Sequence, residues 1–90
     1  MSDINKQKWW AWHKENPHVW KLFQRFTFEA INAGYKHYST NSVIERIRWH
    51  AEIETRGDKF KINNNHAPYY ARYFHHMYPQ HDGFFRTRNA

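Results

Sequence analysis

Aromatic side chains are the main material from which this chain can build a buried core. Trp 5, Tyr 6 and Phe 7 make up 20% of its 90 residues. A domain of this length has a modest core, so large rings must supply an unusual share of its stability. The same short segments carry excess positive charge, with Lys+Arg 14 against Asp+Glu 8. Aromatic rings combined with cationic side chains indicate a binding partner that is an acidic polymer or one that carries nucleic-acid bases.

Length and composition exclude several classes of protein. Ninety residues predict a single domain, 1–90, with a Trp-rich amino-terminal segment 1–15 and a core 16–90. The absence of cysteine excludes a disulfide framework and a thiolate metal site. We expect no secretory signal, no membrane span of ~20 apolar residues and a cytoplasmic location.

The first half of the sequence has the periodicity of helices. A short helix fits residues 4–15, although its three tryptophans cannot share one narrow stripe. Asn16 as N-cap and Pro17 as first helical residue predict a second helix over about 17–33, which Gly34 ends.

Two further helices follow. One begins among residues 39–42, where Ser42 and Glu45 have capping-box spacing, and its buried stripe reads Val43, Ile44, Ile47 and Ala51. The last begins at one of Asn63–Asn65 and ends at Pro79. Its apolar face comprises Ala67, Tyr70, Ala71, Phe74 and Met77.

Two segments alternate polar with apolar residues, as half-buried strands do. These are residues 59–62 and 84–88, while 35–38 is either a strand or an extended link. The sequence therefore predicts an α+β fold of three main helices with a small two- or three-stranded antiparallel sheet. This order is similar to that of winged-helix proteins. The connection 54–65 is nevertheless far longer than the ~3–4 residues of a helix-turn-helix.

The sequence resembles small proteins encoded by bacteriophages and prophages over nearly the whole chain from Trp12 onward, and five stretches carry the resemblance. The resemblance implies a viral or prophage origin and a bacterial host cytoplasm, but it supplies no site residues, because that group has no settled biochemical role. Small phage proteins commonly bind nucleic acid or disable a host machine. The stretches are His13–His18, Arg25–Ile31, Arg46–Trp49, Phe60–Asn65 and Gly83–Arg88.

The candidate nucleic-acid-binding residues lie in the second half. On the last helix, Tyr69, Arg72 and His76 fall opposite the apolar stripe, where they can stack on a base or hold phosphate. An ordinary solvated helix face explains them equally. Further candidates for phosphate contact are Lys59, Lys61, Arg86 and Arg88. The two arginines can also be explained as a basic chain end, and the two lysines as residues that protect an edge strand from aggregation.

The tryptophan cluster has three interpretations. Trp9, Trp10 and Trp12 can form a stacking platform for bases, a contact patch for a protein partner, or part of the core. Asn63–Asn65 can bond adenine edges, but turn formation and capping explain them more simply.

No motif points to a cofactor, metal or catalytic site. His13 and His18 are five apart across a helix break, and His75 and His76 are adjacent and so diverge. Neither spacing is that of a zinc site on a helix. The sequence also lacks a glycine-rich phosphate loop and a nucleophile elbow, so we expect no enzyme activity.

Two functions remain. The first is a small phage-type protein that binds nucleic acid, with DNA favoured over RNA, through phosphate contacts on a basic aromatic surface. The alternative is a phage-encoded inhibitor that docks on a host bacterial protein through tryptophans and arginines. Its target would be a host defence complex or a transcription factor. Neither composition nor spacing predicts an oligomeric state.

Overall fold

A computed structural model describes residues 4–51 and 66–85. Within these ranges the protein is all-α, and 81% of the residues are helical. The elements are α1 (Ile4–Glu15), α2 (Pro17–Asn32), α3 (Thr40–Trp49), α4 (Ala67–Met77) and a 3₁₀ turn (Pro79–His81). Helix α2 packs against α1, α3 and α4, and α3 also packs against α4. No described helix has both the length and the apolar character needed to cross a membrane.

The predicted α+β fold, with its winged-helix-like antiparallel sheet, is wrong. Among residues 4–51 and 66–85 the extended pairing is limited to one isolated bridge, between Tyr38 and Phe85, and that bridge is parallel. Phe84 and Phe85 are both buried, whereas successive residues of a half-buried strand face opposite sides. Segment 35–38 is thus an extended link, and the other predicted strand, 59–62, lies outside the described residues.

The predicted second helix, 17–33, is confirmed as α2, which ends one residue earlier. Its N-cap is Asn16, but the side chain of Asn16 donates backwards, to the carbonyl of Trp12 at 2.9 Å, and so satisfies the end of α1. Gly34 has φ +99° and forms a Schellman turn. The N–H of Gly34 donates to the carbonyl of Ile31, and the N–H of Tyr35 donates to the carbonyl of Ala30. These two caps fix the directions in which the chain enters and leaves α2.

Helix α3 begins within the predicted range 39–42. The Ser39 hydroxyl accepts a hydrogen bond from the N–H of Ser42 at 3.4 Å, so Ser39 is the N-cap of α3, and the predicted capping box that starts at Ser42 is not used. His66 occupies the N-cap of α4 without a side-chain cap bond, and Pro68 lies in the first turn. Asn63–Asn65 lie outside the described residues. The predicted buried position of Met77 is wrong, since half of that residue is exposed.

Aromatic rings fill the space between the helices, as the composition predicts. Phe23 of α2 stacks on Tyr70 of α4, with ring centroids 5.3 Å apart. Phe85 closes this layer, 5.4 Å from Phe23 and 5.7 Å from Phe74. Side chains of α3 complete the core, namely Val43, Ile44 and Ile47. The chain after α4 therefore returns to the core and holds α4 against α2.

Candidate nucleic-acid interface between α1 and α4

Three of the residues predicted to contact nucleic acid lie on α4. Arg72 and His76 are exposed, and Tyr69 is half-buried. The guanidinium carbon of Arg72 lies 5.7 Å from the centroid of the Tyr69 ring, one helical turn away. This cation–π contact orients the charge of Arg72 beside an aromatic surface. His76 follows Arg72 by four residues, on the same side of the helix.

Helix α1 lies beside this part of α4 and contacts it through rings. Trp9 is 3% exposed and lies in a stack, 5.9 Å from Tyr69 of α4 and 5.4 Å from His13 of α1. The core interpretation therefore applies to Trp9. Trp12 is half-buried, with its ring 5.5 Å from that of His66.

Trp10 is the exposed member of the cluster. It is 42% exposed, and its ring meets Tyr73 of α4 edge-on, with centroids 5.9 Å apart and planes at 80°. The His13 ring is also in contact with it, with centroids 5.3 Å apart. The Trp9 ring is a third neighbour, at 5.6 Å, so three rings contact the indole while much of it faces solvent. Tyr73 is not among the residues predicted from the sequence, although its spacing of four residues from Tyr69 was a usable signal.

Lysines flank Trp10 along α1. Lys6 and Lys14 lie one turn before and one turn after it, and both are exposed. Lys8 lies about 160° away from Trp10 around the helix axis, on the opposite flank. We define the α1–α4 face as the flank of α1 that carries Trp10, together with the adjoining stripe of α4. Its residues are Lys6, Trp10, Lys14, Tyr69, Arg72, Tyr73 and His76.

The charge on the α1–α4 face is positive. From His66 to His81 the sequence contains Arg72 but no Asp or Glu. Helix α1 contains one carboxylate, Glu15, which lies about 140° around the axis from Trp10. Among residues 4–51 and 66–85, the rings are therefore bordered by cations with no acidic residue in the same stripe, an arrangement that attracts polyanions.

Buried polar groups lie directly beneath the face. Burial lowers the pKa of His13, so its imidazole is neutral at pH 7 and contributes a flat ring instead of a charge. Burial also raises the pKa of the Tyr70 hydroxyl, which the neighbouring Trp9 indole partly offsets. The indole N–H of Trp9 and the Tyr70 hydroxyl do not form a hydrogen bond with each other. The rings of His13 and Tyr70 each pack against Trp9, with centroids 5.4 Å away.

The other predicted contacts lie outside residues 4–51 and 66–85. These are Lys59, Lys61, Arg86 and Arg88. The structure therefore brings Tyr69 and Arg72 together and leaves the convergence of the remaining cations as a prediction. Within the described ranges, no three side chains of the metal-ligating types come together.

Comparison with known proteins found no relative of this chain. No protein-family model, curated protein or solved structure matches this chain.

Proposed function

We propose that this protein binds nucleic acid through the α1–α4 face. The observation that supports this most directly is the placement of exposed Trp10 between two lysines and against the arginine-bearing, carboxylate-free helix α4. Such a surface can neutralise phosphates with its cations and contact sugars or bases with its rings. The small number of cations predicts modest, salt-sensitive affinity.

The alternative, docking on a host protein through the tryptophans, has less structural support. Of the three rings proposed for it, Trp9 is in the core and Trp12 is half-buried, so Trp10 alone presents a large exposed area. Protein contact patches usually concentrate their binding energy in several desolvated aromatic or arginine side chains. One indole bordered by lysines fits a polyanion better.

A salt titration tests the proposal. We expect a fluorescein-labelled 20-mer, single-stranded or duplex, to bind the whole protein with an affinity that falls as salt rises. Three cations on the face, Lys6, Lys14 and Arg72, predict a slope of log K against log [salt] of about −2 to −3. An affinity that does not change between roughly 50 and 200 mM salt would refute phosphate binding.

Two lysines of α1 provide a matched pair of variants. Lys14→Ala removes a cation from the α1–α4 face, so the slope should become shallower by about one. Lys8→Ala removes the same charge from the same helix but from the opposite flank, and it should leave the slope unchanged. Equal effects of the two substitutions would mean that binding is not located on this face.

A further inference from the structure

The α1–α4 face is too broad to act as a recognition helix in a duplex. The major groove is about 12 Å wide and accepts one helix of about 10–12 Å diameter. Here α1 lies against the side of α4, because Trp9 stacks on Tyr69 and Trp10 meets Tyr73. Two adjacent helices cannot both enter the groove, so paired bases would stay out of reach of these rings.

One ring of the face, the exposed indole of Trp10, is placed to receive a base that is not paired. The rings of Trp9, His13 and Tyr73 contact the exposed indole of Trp10, so these contacts orient it before a ligand arrives. Tyr69 and Tyr73 are half-buried and pack against Trp9 and Trp10, so they support the indole and do not themselves receive bases. Aromatic side chains in a cationic groove are the feature by which proteins hold single strands, since every base has a face to stack.

Cations lie on both sides of the rings. Lys14 and Lys6 border Trp10 on α1, and Arg72 lies against the Tyr69 ring on α4. A strand that stacks a base on Trp10 would therefore carry its phosphates past a cation whether it runs along α1 or across to α4. This charge distribution selects a polyanion over an uncharged aromatic ligand.

We propose that the α1–α4 face binds single-stranded nucleic acid, stacking a base on Trp10 and holding the adjoining phosphates with Lys14 and Arg72. This inference rests on the proposed nucleic-acid-binding function and narrows it to unpaired strands. Packing of the Trp10 ring against buried Trp9 and half-buried His13 holds the platform in place, so little ordering of the protein is needed when the strand binds.

The test compares a labelled oligothymidylate 20-mer with a mixed-sequence duplex of the same length, by fluorescence anisotropy at equal salt. We expect the single strand to bind at least tenfold more tightly. Trp10→Ala should weaken single-strand binding by about tenfold, the lower part of the range for base–aromatic stacking, and should leave duplex binding unchanged. Circular dichroism would verify that the variant is folded.

Trp49 provides the control, because it is a tryptophan that is 56% exposed on a different helix, α3. Trp49→Ala should leave single-strand affinity unaltered, and an equal loss in the two variants would overturn the assignment to this face. Equal or tighter duplex binding would overturn the single-strand inference while leaving the proposed function intact. Failure to bind either probe at low salt would overturn both and favour docking on a protein.

Discussion

The imidazole Nε2 of His75 accepts a hydrogen bond from the backbone N–H of Phe85 at 3.1 Å. The Nδ1 atom of the same ring lies 3.7 Å from a carboxylate oxygen of Asp82. Neutral His75, with its proton on Nδ1, therefore joins α4 to the chain that returns to the core at Phe85. A second proton would occupy Nε2 and remove the acceptor of this bond.

This geometry predicts loss of stability in acid. Burial lowers the pKa of His75, and the Asp82 carboxylate raises it by less. Because the folded pKa lies below the unfolded value of about 6.5, the stabilisation is present above that pH and is lost as the pH falls through the folded pKa. Burial lowers the pKa of His13 and His66 as well, so their contributions have the same sign. Urea unfolding followed by circular dichroism should show a roughly constant free energy of unfolding near pH 7–8 and a decline below about pH 6.5.

Two substitutions should change this pH dependence in opposite directions. His75→Gln supplies a carbonyl that can accept the Phe85 N–H but does not titrate, so the decline should become shallower. Asp82→Asn removes the carboxylate that favours protonated His75, which lowers the pKa of His75 further and makes the decline steeper. Unfolding curves measured at constant ionic strength would contradict the assignment if His75→Gln followed the parent protein at every pH.

Trp9 and Trp10 are neighbours in sequence and should differ sharply in their effect on stability. Trp9 is 3% exposed and its ring contacts three tyrosines of α4, so Trp9→Ala should cost about 3–5 kcal/mol. Trp10 is 42% exposed, so Trp10→Ala should cost about 1 kcal/mol or less. Urea unfolding of the two variants measures the difference, and comparable losses would show that Trp10 is also a core residue.

The helices could be predicted from the sequence because their signals are local. The apolar spacing of α2 and α4, the proline in the first turn of each and the glycine after α2 all act within a few residues. Local signals are also why the sheet prediction failed. An alternation around Phe84 and Phe85 fits a strand, but it carries no information that both rings return to the core against α4.

The candidate site could be predicted only in part. The position of Tyr69 and Arg72 opposite the apolar stripe of α4 follows from helical periodicity. In contrast, the three tryptophans of α1 point in different directions around their helix, so periodicity cannot decide which of them is buried. The position of α1 beside α4 decides it, and that position depends on contacts between residues about 60 apart in sequence, such as Trp9 with Tyr69.

Gly34 should resist substitution because of its backbone conformation alone. Its φ of +99° lies in the region that L side chains rarely adopt, while a Cβ at this position would meet nothing within 4 Å. Gly34→Ala should therefore lower the free energy of unfolding by about 1–2 kcal/mol. Gly34→Asn should recover part of this loss, since Asn tolerates a left-handed backbone better than Ala. A thermal or urea unfolding series would contradict this account if the alanine variant were as stable as the parent.

Replacement of Thr27 by valine should make the folded protein more stable. The residue is fully buried on the core side of α2, and its hydroxyl oxygen has no hydrogen-bond partner. A buried polar group without a partner costs about 1–3 kcal/mol, and valine keeps nearly the same shape and helix propensity. Thr27→Val should thus raise the free energy of unfolding by about 1 kcal/mol. Thr27→Ser, which keeps the hydroxyl but removes the packed methyl group, should lower it. If the valine variant proved less stable than the parent in urea unfolding, the hydroxyl of Thr27 would have to be bonded in the folded protein.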